Sequence, residues 1–321
     1  MINTHQQQTD SMNLSHLFKY TLLIFAALML LFAFAGTADA FAGGAGTQAS
    51  PFWVSTPAHL EMIGSDNFHR SAHYILINDI TLTGTWTPIG NQTHPFTGTI
   101  NGNNHTIYGM DVSGGSHVGF IGMANGATIS NLRFSGSSVI GQSHVGTVTG
   151  QASHSTFENI HVTGGTVDCF GDGGHIGGLV GHLQGGQIYN SSADNHISAY
   201  SNAGGLVGGI TAGGIVNRSE FRGTVQTSNW SVGGLAGFMN PGVVESSHVR
   251  GAQIFGHERA AGLVGGMGAG SYVRNSSVAD DLGTPTVVWG TNLVGGLVGQ
   301  MNGGGTIYNS TSSATLTGVS S

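Results

Sequence analysis

A five-residue string returns again and again through most of this 321-residue chain, and it constrains the fold more than any other feature. Gly177-Gly-Leu-Val-Gly181 recurs as Gly204-Gly-Leu-Val-Gly208, Gly233-Gly-Leu-Ala-Gly237, Ala261-Gly-Leu-Val-Gly265 and Gly295-Gly-Leu-Val-Gly299. Val118-Gly-Phe-Ile-Gly122 and Gly146-Thr-Val-Thr-Gly150 are degenerate copies upstream. The closing glycines lie 28, 31, 27, 29, 28 and 34 residues apart, and self-similarity at such a period is the mark of a solenoid. Each repeat must stack on its neighbours, because one repeat alone cannot bury its apolar face.

The repeat spanning 175–201 shows which solenoid this is. Its apolar clusters, around Leu179-Val180, Ile188 and Ile197, are too short for globular helices and lack a 3.6-residue period. Three short strands separated by Gly, Asn and Ser fit one coil of a parallel β-helix, with glycines at the corners. An asparagine follows an apolar residue by two positions at Asn131, Asn159, Asn190, Asn217, Asn275 and Asn309, and only Glu245 interrupts the series. This predicts an inward asparagine ladder at a corner. Four of the six also match the N-glycosylation sequon, but the ladder accounts for all six.

The N-terminal part differs. Lys19, the apolar run Leu22 to Ala35 and Ala38-Asp39-Ala40 read as a secretory signal peptide over residues 1–40. Gly- and Ala-rich residues 41–50 are expected to be a flexible leader. Residues 51–115 are expected to form an N-terminal cap and the first coils, including a helix capped by Thr56 with Pro57 at its first position. Residues 116–321 form the repeats.

The opening stretches Leu76-Ile-Asn-Asp-Ile-Thr-Leu, Trp86-Thr-Pro-Ile-Gly90 and Phe96-Thr-Gly-Thr-Ile-Asn-Gly-Asn, with the repeated pentapeptide, resemble bacterial surface and secreted proteins carrying the GLUG repeat. The resemblance covers nearly all of residues 51–321. It implies a right-handed parallel β-helix exported to the cell exterior, in a family that includes adhesin-like proteins and some immunoglobulin A peptidases. No translocator barrel or sorting tail is recognisable after the repeats. No C-terminal cap pattern is evident either, so exposed strand edges predict end-to-end self-association.

Composition narrows the function. Without residues 1–40 the chain keeps seven arginines, no lysine and thirteen acids, a net charge of −6, which speaks against nucleic acid or an anionic membrane as partner. Cys169 is the only cysteine, so there is no disulfide framework, and a buried rung position is expected for it.

No catalytic set is assigned. His257-Glu258 lacks the second histidine of a zinc-peptidase helix. Asp168, Asp172, Asp194, Asp280 and Asp281 are the acids from which a polysaccharide hydrolase would have to draw a pair, and most read as solvated turn residues. His117, His144 and His175 precede the pentapeptide in three successive repeats, so they should form an imidazole column. Such a column could take zinc or copper or act as a pH switch, but stacking alone also explains it, and no metal or cofactor is assigned.

The favoured function is an exported adhesive or scaffolding rod that binds extracellular glycans or matrix proteins through repeated exposed ladders. Tyr189, Tyr200, Trp230, Tyr272, Trp289 and Tyr308 are the candidate contact residues. The alternatives are a carbohydrate-active β-helix and a passive stalk.

Overall fold

The computed structural model describes residues 40–172 and 174–318. The hydrophobic run read as a signal peptide lies outside them. From Phe41 onward the chain winds as stacked parallel strands. One coil contains the strands His175–Gly177, Val180–Gln184, Gln187–Tyr189 and Ser192–Ala199. The sequence suggested three strands per coil. The additional strand is the first, His175–Gly177, whose single inward residue Ile176 lies so close to Leu179-Val180 that the two read as one apolar cluster.

Successive coils pair residue for residue. Seven first-leg strands, from Ser116–Val118 to Leu293–Gly295, form one parallel ladder in which Val118, Val145, Ile176, Ala203, Val232, Ala260 and Val294 are in register. Second legs align Ala124, Ala152, Leu183, Ile210, Met239 and Met267 inside the coil. All but Val294 are fully or almost fully buried, which makes the core a set of continuous apolar columns.

The repeated pentapeptide is the corner between the first and second legs. The motif leucine points inward, and its carbonyl accepts two N–H groups from the preceding coil. Leu206 O takes Leu179 N and Val180 N at 3.0 Å each, and Leu235 O takes Leu206 N and Val207 N at 3.1 and 2.9 Å. Leu263 and Leu297 repeat the arrangement. A carbonyl oxygen has two lone pairs, so one residue satisfies both donors of a tight corner.

The motif glycines are required by close approach and not by a left-handed backbone. A Cβ on Gly208 would overlap the backbone nitrogen of Ile176 one coil away. Left-handed conformations fall instead at Asn131, Asn159, Asn190, Arg218, Ser246, Asn275 and Asn309.

The expected asparagine ladder is therefore corrected in two ways. Asn217 is out of register, because the turn at Ala212-Gly213 carries one extra residue and shifts the buried position from Ile215 to Val216. The asparagines are also half-buried or exposed, not inward. They still hydrogen-bond between coils: Asn159 Nδ2 donates to Asn131 Oδ1 at 2.9 Å, and Asn131 Nδ2 to Asn101 Oδ1 at 3.2 Å.

The buried ladder at this corner is made of serine. The Oγ atoms of Ser191, Ser219, Ser247 and Ser276 each accept the N–H of the residue at the same position one coil earlier, at 3.1–3.2 Å. Each also donates to the carbonyl two residues before it, at 2.7–2.9 Å.

The helix Pro57–Ile63 is capped by Thr56, whose Oγ1 accepts His59 N, and it buries Leu60 and Ile63. A short second helix, Asn67–Ser71, follows. Trp86 stacks on Phe120 and donates its indole N–H to the Phe120 carbonyl at 3.0 Å, tying the cap to the first repeat. Residues 41–50 are not a flexible leader. Ala42 N and Trp53 N exchange hydrogen bonds with Trp53 O and Gly43 O, and Phe41 stacks on Phe52 at 4.4 Å. Cys169 is buried as expected, and burial raises its thiol pKa.

Gly208→Ala is expected to cost about 3 kcal/mol or more, because backbone fills the space the methyl needs. Gly213→Ala, at φ 75° with nothing nearby, should cost about 1–2 kcal/mol. The Thr149 hydroxyl is buried without a protein partner, in register with Ile121 and Val180, so Thr149→Val should add about 1 kcal/mol. Urea unfolding midpoints of the three variants check the order.

Candidate functional site

The histidine column expected from the repeats is present. His117 and His144, both at positive φ, stack at 5.2 Å between ring centroids with an interplanar angle of 14°. His175 follows one coil on, its ring 5.7 Å from that of His144 and edge-on to it. The structure adds His182, whose ring lies 4.5 Å from His175 and 5.4 Å from His144. His182 belongs to the neighbouring column, Met123, Gln151, His182, Gly209, Phe238. Its position holds histidine in only one repeat, so no recurrence advertised it. The available signal was Gly209 one coil later: a Cβ there would collide with the His175 ring, so the glycine makes room for the cluster.

Neutral side chains hold the rings. His117 Nε2 lies 2.9 Å from Gln151 Oε1, His144 Nδ1 2.7 Å from Ser143 Oγ, and His182 Nε2 3.0 Å from Thr211 Oγ1. The Nδ1 atoms of His175 and His182 are buried without a partner. Burial lowers the pKa of His144 and His175 to about 4 and that of His182 to about 3, and the other imidazoles add to the effect. No carboxylate contributes to these shifts, so nothing nearby offsets a proton.

The aromatic candidates fall on two faces. Tyr189, Tyr272 and Tyr308 lie along the third leg, where Tyr308 packs beyond Arg274, itself paired with Glu245 at 2.9 Å. Trp289 lies on the fourth leg, in the column Asp168, Ser198, Gln226, Phe255, Trp289. Tyr200 and Trp230 occupy turns after fourth-leg strands and are exposed.

Phe255 and Trp289, on adjacent rungs, line a shallow groove of about 450 Å³ with Ser198, Gln226, Thr227 and His257. Phe255 was not among the candidates; its outward position became visible only with the register.

Several of the acids singled out in the sequence are engaged by neighbouring groups. Asp280 accepts the Thr286 N–H at 2.9 Å. Asp281 pairs with Arg222 at 2.6 Å in a network that also holds Glu220 and Arg250. Asp168 and Asp194 stand in different columns of the same coil stack.

The fold and these sites define a β-solenoid whose corner motif has known counterparts. Residues 172–198 match the family model described as the GLUG motif. Halomucin of Haloquadratum walsbyi is 31% identical over 207 residues, covering 51% of this chain. A protein of Evansella cellulosilytica, provisionally described as a Gly-rich membrane protein, is 28% identical over 188 residues, covering 54% of this chain. Those alignments span only 2% and 22% of the two relatives' lengths.

Among solved structures, a chain provisionally described as an immunoglobulin A1 protease from Bacteroides ovatus superposes with a TM-score of 0.61 at 18% identity, over 82% of this chain and 87% of that one. A second, described as IgA1 Protease, gives a TM-score of 0.55 at 18% identity, over 76% of this chain and 20% of that one. At such identity the likeness is one of fold.

The imidazole pKa values fix a pH dependence. The folded values lie below the ordinary imidazole value of 6.5, so below that pH the unfolded chain binds more protons. The contribution of these imidazoles should be constant well above pH 6.5. It should then fall as pH drops toward 4, by about 1.4 kcal/mol per pH unit for each excluded proton. Thermal unfolding from pH 8 to 4 measures this, and His182→Gln should reduce the acid slope.

Proposed function

We propose that this protein is an exported cell-surface or secreted β-solenoid with an adhesive or scaffolding role, holding extracellular glycans through an aromatic–polar groove. The groove of Phe255 and Trp289 carries the reading. Two half-exposed aromatic side chains one rung apart offer apolar faces to sugar rings, while Gln226, Ser198 and Thr227 offer donors and acceptors beside them. The name of the Evansella cellulosilytica relative supports a location at the cell envelope. Sparse charge suits recognition by hydrogen bonding and stacking more than by ion pairing.

Bond breaking is not part of this reading. Asp280 and Asp281 are committed to the Thr286 N–H and to Arg222. Matrix proteins are the second class of partner the exposed ladders suit, and weak contacts repeated along a rod would act together.

Affinity electrophoresis of the full chain in gels cast with plant, microbial and host polysaccharides tests the proposal. At least one polysaccharide should retard the protein, and Trp289→Ala should weaken that retardation about tenfold. Phe68→Ala, at an exposed cap position, should leave it unchanged. Equal retardation of the wild type and Trp289→Ala would sink the groove as the site. Appearance of new sugar chain ends would make the protein an enzyme instead.

A further inference from the structure

The imidazole cluster holds more buried nitrogen than its own hydrogen bonds use. His144, His175 and His182 have ring centroids 4.5, 5.4 and 5.7 Å apart. Three imidazoles bound to one ion at ordinary zinc–nitrogen distances place their centroids about 5 Å apart. His144 and His182 each have one ring nitrogen held by a hydroxyl, Ser143 Oγ and Thr211 Oγ1. Such a contact fixes the ring and leaves the other nitrogen for a ligand, as the outer contacts of metal-bound histidines do. Buried polar atoms are nearly always satisfied, yet Nδ1 of His175 and Nδ1 of His182 have no protein partner.

We propose that His144, His175 and His182 form a binding site for one divalent transition-metal ion of the zinc or copper class, with His117 stacked behind His144 as a support. Imidazole donors with no carboxylate select these ions over calcium and magnesium. Three protein ligands leave a fourth position for water or an external donor. As the rings stand, no three His, Cys, Asp or Glu side chains among the described residues are already arranged to hold an ion. Uptake therefore requires rotation of the rings about their side-chain torsions. The His175 ring lies directly against Gly209, where a Cβ would displace it. The groups bonded to or in register with the imidazoles include Ser143, Gln151, Asn202 and Thr211, all uncharged.

The test uses the untagged full chain, stripped with chelator and titrated with Zn2+ by calorimetry and with Cu2+ by electron paramagnetic resonance. One ion should bind per chain, at micromolar or lower dissociation constant, with nitrogen hyperfine structure in the copper spectrum. His182→Gln and His144→Gln should each weaken binding at least a hundredfold, while His248→Gln, on a distant column, should not. Should the variants misfold, imidazole resonances of the wild-type chain decide the matter: those of His144, His175 and His182 must shift with Zn2+ while others stay. Absence of stoichiometric binding, or binding indifferent to His182→Gln and His144→Gln in folded protein, overturns the proposal.

Discussion

The structure depends on one contact, the approach of each motif corner to the coil beside it. A leucine carbonyl that accepts two N–H groups from the preceding coil can do so only if the flanking backbones come close, and side-chain carbons at the glycines would forbid it. From that contact the rest follows. The coils are locked in register, the inward residues fall into columns, and outward residues recur on fixed faces. The apolar columns supply the burial, but the corner decides which residues the columns contain.

The serine ladder performs the same task at another corner by different chemistry. There the left-handed residue turns the chain and exposes the next N–H to the interior, where a lone donor would be costly. Each serine accepts that N–H from one coil and returns its own proton to a carbonyl of its own coil. The outer asparagine amides then tie the same corner from the solvent side. Inner serine and outer asparagine together explain why Asn-Ser pairs recur there, a pattern that looks like a glycosylation signal when read only as letters.

The corner motif, the coil and the cap were legible because each is carried by strong local chemistry: glycine where no Cβ fits, Pro57 after Thr56, and Trp86 at the start of the stack. What was hidden depended on register. Ile215-Val216 and Val243-Val244 each offer two apolar residues, and the sequence does not say which one points inward; the turn insertion near Gly213 settles the first, and pairing with neighbouring coils the second. The site was half legible for the same reason. His117, His144 and His175 repeat along one column, whereas His182 and Phe255 reach their positions only through pairing between coils. A residue that occurs once in a repeat protein carries no periodic signature, however central it is.

Variation in repeat length has its own consequence. The extra residues of the longest step include the turn around Asp281 and Thr284, between strands, while the corner motifs on either side remain paired. Growth sideways is thus uncoupled from advance along the axis, which proceeds by about 4.8 Å per coil. The stack works as a ruler. The coil of the imidazole cluster and the coil bearing Trp289 are three rungs apart, and so about 14 Å along it. Gain or loss of one whole repeat beyond the coil bearing Trp289 would change the length of the stack by a single graduation and leave both sites intact.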